Sequence, residues 1–154
     1  MADVKPVPDG WHTVTPHLVV NGAADALAFY VRAFRAEVVM QVAGLGGVIV
    51  HAEIRIGDSL VMLAEEMPEM GHGRSPRTLG GNHSSLMIYA TDCDAAFTRA
   101  VDAGAEAMMP PADMFWGDRY CQVKDPFGHT WAIATHVEDV LPDEIARRMA
   151  QMGH

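Results

Sequence analysis

The sequence predicts an α+β fold built from two βαβββ modules paired around a shared cleft and followed by a C-terminal helix. Three observations predict it. Strand-like and helix-like periodicities run in the order β-α-β-β-β and then start again in the same order. The second pass echoes the first in residues, Leu18-Val-Val20 and Ala28-Phe29 corresponding to Leu86-Met-Ile88 and Ala96-Phe97. A stretch with Pro68, Gly71, Gly73, Pro76, Gly80 and Gly81 separates the two. Units of about 50 residues cannot bury a sheet face alone, so pairing is the expected solution. The boundaries this gives are 12–65 for the first module, 66–83 for a linker, 84–136 for the second module and 137–154 for the final helix and tail.

Each element has its own signal. Thr15 to Val20 reads as a short strand, and Asn21 to Phe34 as a helix with Asn21 as its N-cap. Leu27, Tyr30, Val31 and Phe34 recur there at helical spacing and predict one apolar face. Glu37 to Val42 is strand-like in its β-branched content and closes on the glycine turn 44–47. Val48 to Ile56 alternates with period two. Val50, Ala52, Ile54 and Ile56 take one side, and His51, Glu53 and Arg55 the other. Residues 57–59 turn the chain into the strand Leu60 to Ala64.

Beyond the linker, Ser84 to Tyr89 is a strand. Thr91 with Asp94 is a capping-box signature opening a helix that ends at Gly104. Ala105 to Met109 is a strand and Pro110 to Asp118 a loop. Tyr120 to Val123 and Thr130 to Ala134 are strands joined by the turn Asp125-Pro-Phe-Gly128. Pro142 to Met149, with acids in its first turn and arginines near its end, reads as a helix.

Composition removes several function classes. The chain has 154 residues and a formal charge of -9, with 11 basic residues of which only Lys5 and Lys124 are lysines. Nucleic-acid backbones and anionic membranes need positive counter-charge, so neither is an expected partner. Two cysteines, Cys93 and Cys121, make neither a disulfide framework nor a cysteine-rich metal site. No charged leader precedes an apolar run, and no apolar stretch reaches the roughly 18 residues of a membrane span. A soluble cytoplasmic protein is expected. Phosphate loops, dinucleotide fingerprints and nucleophile elbows are missing from the sequence. Cys93, in a first helical turn, sits where a helix dipole lowers a thiol pKa, but no partner histidine follows from the sequence.

The motifs together resemble a known family. Thr15-Pro-His-Leu-Val-Val20, Ala28-Phe-Tyr30, His51-Ala-Glu53 before Ile56-Gly-Asp-Ser-Leu-Val-Met-Leu63, Met114-Phe-Trp-Gly-Asp-Arg-Tyr120 and Asp125-Pro-Phe-Gly-His-Thr-Trp131 are similar to the glyoxalase/bleomycin-resistance/extradiol-dioxygenase (vicinal oxygen chelate) superfamily. Within it the PhnB-like branch is the nearest likeness. The resemblance spans residues 12 to 148 and implies paired βαβββ modules, frequent homodimers and, in many members, a divalent metal held by four side chains from the first and last strands of each module. Mapped here, those positions fall at Thr15, Val61 or Met62, Ser85, and Ala132 or Ile133. None of these is a histidine, glutamate or glutamine, so no metal and no other cofactor is expected. His17, His83 and His136 with Glu53 share strand parity with those positions and form a displaced alternative.

Two groups of residues remain as site candidates. His51, Glu53 and His17 are the candidate catalytic set, because an imidazole oriented by a carboxylate accepts protons near neutral pH. The bland alternative for His51 and Glu53 is a solvated strand pair. Phe115, Trp116, Arg119, Tyr120 and Met87 are the candidate ligand-binding set. The aromatic rings offer flat apolar area, and Arg119 with Asp118 offers a polar end. The segment is either a lid over the cleft or packing between modules or subunits. The expected function is small-molecule binding, sequestering a flat or aromatic compound without metal. The alternative is a lyase or isomerase that moves a proton through His51 or His17, with Arg119 or a displaced metal as electrophile.

Overall fold

The structure, a computed structural model, describes residues 4–153. The chain divides after Asn82 into two compact units. The first carries β1 (His17–Val20), α1 (Ala23–Phe34), β2 (Glu37–Ala43), β3 (Ile49–Ile56), β4 (Ser59–Glu65) and a short α2 (Pro76–Leu79). The second carries β5 (Ser85–Tyr89), α3 (Cys93–Asp102), β6 (Glu106–Asp113), β7 (Asp118–Lys124), β8 (Thr130–His136) and α4 (Pro142–Gln151). Each holds one four-stranded sheet, ordered β1-β4-β3-β2 in the first and β5-β8-β7-β6 in the second. The β1–β4 and β5–β8 pairs are parallel, and the others antiparallel. The predicted α+β repeat is therefore the observed one.

In the first unit α1 covers one sheet face. It buries Ala26, Leu27, Phe29, Tyr30, Ala33 and Phe34, with Tyr30 and Phe34 stacked at 5.9 Å. Leu18, Leu63, Ala52 and Ile54 meet them from the sheet. Val31, expected on this face, is 43% exposed instead. The buried arc is centred on Tyr30 and filled by alanines, which leaves Val31 beyond its edge. In the second unit Cys93, Ala96 and Ala100 of α3 lie on the face built by Cys121, Val123, Trp131 and Ile133.

Three local expectations are corrected. Asn21 does not cap α1. The helix starts after Gly22, and the Glu65 carboxylate accepts from Gly22 N (2.9 Å) and Ala23 N (2.7 Å) across the sheet. Asp92, not Thr91, caps α3, accepting from Ala95 N at 2.9 Å. The strand expected over 105–109 runs on through Pro110 and Pro111 to Asp113. β6 is a sheet edge, where a missing N–H costs no ladder bond.

Residues 66–80 are more than a connection. Ser75, fully buried, caps α2, and its N–H donates to Glu66 at 2.6 Å. A Cβ added at Gly73 would stand 3.9 Å from Val19 of β1. No helix among the described residues is long and apolar enough to cross a membrane.

Candidate functional site

Strand alternation sends His17, Met62, Glu53 and Met40 to the sheet face of the first unit that α1 leaves open. They form one row, since His17 lies opposite Met62, Met62 opposite Glu53 and Glu53 opposite Met40. His51 is two residues before Glu53 on the same face. Its Nε2 stands 3.5 Å from Glu53 Oε1, an ion-pair distance rather than a good hydrogen bond. The His17 and His51 rings meet edge to face at 5.9 Å. His72 joins them from the segment after β4, with Nδ1 3.2 Å from the Glu65 carbonyl. Crowding by protein atoms, then His51, then His72 hold the His17 pKa below its ordinary value. His72 was not signalled by the sequence, because only the folding-back of residues 66–80 brings it there.

The second unit gathers the aromatic residues around Asp118. This carboxylate is buried at the start of β7. Its Oδ2 accepts from Trp116 Nε1 (3.0 Å) and from the Tyr89 hydroxyl (3.1 Å), and its Oδ1 lies 2.8 Å from His136 Nδ1. His136 Nε2 in turn lies 2.9 Å from Asp139. Asp139 first and Asp118 second raise the His136 pKa, because each carboxylate favours the imidazolium. Trp116 also packs edge to face on Phe115 (5.1 Å) and on Tyr120 (5.6 Å). The Tyr120 oxygen accepts from Gln122 at 2.7 Å.

The loop is fixed by its backbone as well. Gly117 has φ +101°, and a Cβ there would meet the Glu138 carbonyl oxygen at 2.1 Å. Val137 N and Glu138 N both donate to Gly117 O. Arg148 of α4 reaches over to the Phe115 carbonyl (3.3 Å) and to both oxygens of Glu138.

The expected ligand-binding residues are thus only partly together. Phe115, Trp116 and Tyr120 form one wall, with Tyr89 added through Asp118. Met87, 46% exposed, lies on the same sheet face as Tyr89, two residues along β5. Arg119 alternates to the other face, where Asp94 of α3 and Asp113 engage its guanidinium. Asp118 and Arg119 therefore do not form one polar end beside the rings. Tyr89 could not be tied to this loop from the sequence, since the bond to Asp118 spans 29 positions.

Neither thiol is poised for chemistry. Cys93 and Cys121 are buried with sulfurs 3.5 Å apart. Burial raises the Cys93 pKa and pushes Cys121 up to about 12, against the lowering expected at a helix start.

The metal of many family members does not fit these residues. Thr15 precedes β1, whose first residue is His17. The row facing His17 supplies a thioether at Met62, and the corresponding rows of the second sheet pair Ser85 with Thr130 and Met87 with Ala132. Two hydroxyls, two thioethers and a methyl do not make a shell for a divalent ion, and among the described residues no group of three or more His, Cys, Asp or Glu side chains, the His17, His51 and Glu53 set included, is placed to hold one. Of the displaced alternatives, His136 is already held between two aspartates.

Comparison with known proteins agrees with the fold. Residues 11–133 match the family model described as Glyoxalase/Bleomycin resistance protein/Dioxygenase superfamily. An uncharacterized protein of Mycobacterium tuberculosis (strain H37Rv) is 44% identical over 142 residues, covering 91% of this chain and 84% of the relative. The crystal structure of TioX from Micromonospora sp. ML1 superposes with a TM-score of 0.65 at 25% identity, over 82% of this chain and 99% of that one. The PhnB protein of Bacillus cereus shares the fold at 17% identity, with a TM-score of 0.62 over 80% of this chain and 99% of that one. On the repeated βαβββ topology, the extent of the family match and the identity to the mycobacterial relative, the chain belongs to the glyoxalase/bleomycin resistance protein/dioxygenase superfamily.

Proposed function

We propose that this protein is a small-molecule binding protein of the superfamily, in its PhnB-like branch, that sequesters a flat or aromatic compound in the cytoplasm without using a metal. The observation that carries the reading is the Asp118 anchor. One buried carboxylate oxygen fixes both the Trp116 indole and the Tyr89 phenol, from the loop and from β5. Tyr89 remains 64% exposed. Rings held at their polar ends lose little freedom when a planar ligand stacks on their faces, and such preorganisation raises affinity. Sequestration asks for no proton transfer and no free cation, and Arg119 offers none here. The acidic balance of the chain favours a small-molecule partner over nucleic acid or an anionic membrane.

The test is a thermal-shift screen of planar heteroaromatic compounds followed by titration calorimetry. Hits should lose about tenfold or more in affinity in Trp116→Ala. Affinity unchanged in both Trp116→Ala and Tyr89→Phe would remove this wall from the site.

A second reading rests on a different observation, the proximity of His51, Glu53 and His17. His51 beside the Glu53 carboxylate, with the His17 ring edge to face against it, is suited to take a proton from carbon next to a carbonyl, as a lyase or isomerase requires. The lowered pKa of His17 keeps it in the accepting form at neutral pH. Solvent deuterium incorporated into an enolisable carbonyl compound, and lost in His51→Gln and Glu53→Gln, would favour this reading over sequestration.

A further inference from the structure

We infer that His136 is a carboxylate seat at the end of the ring wall, so that the flat compound selected there is an aromatic carboxylic acid, bound as its anion through His136 Nε2. The inference rests on the ring wall proposed above and adds the chemical class of its ligand.

Register and alternation bring the seat to the rings. On the sheet face of the second unit that α3 leaves open, Ala132 and Ala134 of β8 lie between Met87 and Tyr89 of β5 and Gln122 and Tyr120 of β7. Two methyl groups between larger side chains make a low line along β8, with β5 and β7 roughly 10 Å apart across it. His136 continues that line two residues on, opposite Asp118. A flat ligand lying between Tyr89 and Tyr120 therefore has an imidazole at one end.

The neighbours of that imidazole fix its charge. Nδ1 lies 2.8 Å from Asp118 and Nε2 lies 2.9 Å from Asp139. An ionised carboxylate only accepts, so both nitrogens carry protons and the ring is a cation. The two carboxylates differ in standing. Asp118 is buried and also accepts from Trp116 and Tyr89, so it holds the ring in place. Asp139 is fully exposed, and an exposed ion pair of this kind holds weakly. A ligand carboxylate can replace it at Nε2 without changing the local charge. The formal charge of -9 opposes an anion at a distance, but at physiological salt that repulsion is screened beyond about 8 Å, and the charge-assisted bond decides.

Calorimetric titration of the full chain with 2-naphthoate and with its neutral counterpart 2-naphthamide tests the inference. The acid should bind more tightly than the amide by about tenfold or more, and His136→Gln should bring the two together. Asp139→Ala removes the internal competitor, so it should tighten naphthoate by about threefold or more and leave naphthamide unchanged. Asp102→Asn, an equal change of charge at an exposed residue of α3, should move neither. In the wild-type chain the His136 ring resonances should shift with naphthoate and not with naphthamide, a measurement that needs no variant to fold. Acid and amide bound equally, both weakened by Trp116→Ala, would keep the ring wall and overturn the seat. Naphthoate binding that needs His136 and ignores Trp116→Ala would keep the seat and remove the wall. Naphthoate bound without moving the His136 resonances, or neither probe bound at millimolar concentration, would overturn the inference.

Discussion

His136 and His17 depart from the ordinary imidazole pKa in opposite directions, and the sign of each fixes a stability trend. His136 gains two carboxylates on folding, so its native pKa lies above the reference value of 6.5. Its contribution is fully present below pH 6.5 and fades as pH rises through the native value. His17 is crowded and faces two imidazoles, so its native pKa lies below 6.5. The unfolded chain then protonates first as pH falls, and the native state loses stability from about pH 6.5 downward. Melting temperatures between about pH 5 and 8 should show this. The advantage of wild type over His136→Gln should shrink towards high pH, whereas His17→Asn should gain on wild type towards low pH. Parallel curves for all three proteins would contradict both assignments, and imidazole proton resonances would locate each transition. At this scale the sequence shows which residues carry chemistry and not whom they meet. His51 and Glu53 share a strand, so their proximity follows from period two. Tyr89, Asp118 and His136 lie on three strands, and Asp118 read as a partner for its neighbour Arg119 until alternation separated them.

Among elements, the strands and main helices were legible wherever periodicity was strong, and their ends were not wherever a distant group decides them. The start of α1 is the clearest case. Glu65 is 42 residues from Ala23, and only the parallel pairing of β1 with β4 brings its carboxylate to the helix start. Glu65→Ala should therefore destabilise the protein by about 1–2 kcal/mol, the range of a lost cap with its dipole interaction. Asn21→Ala should stay within about 0.5 kcal/mol. Chemical denaturation would separate the two, and equal effects would return the cap to Asn21. The turn before β7 obeys a different constraint. Gly117→Ala has to displace the Glu138 carbonyl and hold a positive φ, so a loss of about 1–3 kcal/mol is expected. The same change should redden or quench the Trp116 fluorescence, since indole and glycine are neighbours. Wild-type stability and emission together would show that the loop relaxes freely.

At the scale of the whole molecule the repeat was legible because both units solve the same problem with the same order of elements. Their hairpins are nonetheless anchored in different ways, and here the repeat stops predicting. Asp58, in the turn between β3 and β4, is exposed and accepts from its neighbour Ser59. Asp125, in the corresponding turn between β7 and β8, is buried and accepts from Phe127 N, His129 N and Trp131 Nε1, each at 2.9 Å. Those donors include the indole of Trp131, the largest fully buried side chain among the described residues. Removing the carboxylate takes this acceptor from three donors in a buried turn, and buried groups that lose a hydrogen bond carry a desolvation cost. Asp125→Ala should accordingly lose roughly 3 kcal/mol or more, while Asp58→Ala should change stability by less than about 0.5 kcal/mol. Hydrogen exchange gives the test its resolution. If the units are separate cooperative bodies, Asp125→Ala should speed exchange throughout β5 to β8 and leave β1, β3 and β4 near wild type. Uniform acceleration along the chain would mean that the two units unfold as one, and no acceleration would mean that the turn is held by something other than its aspartate.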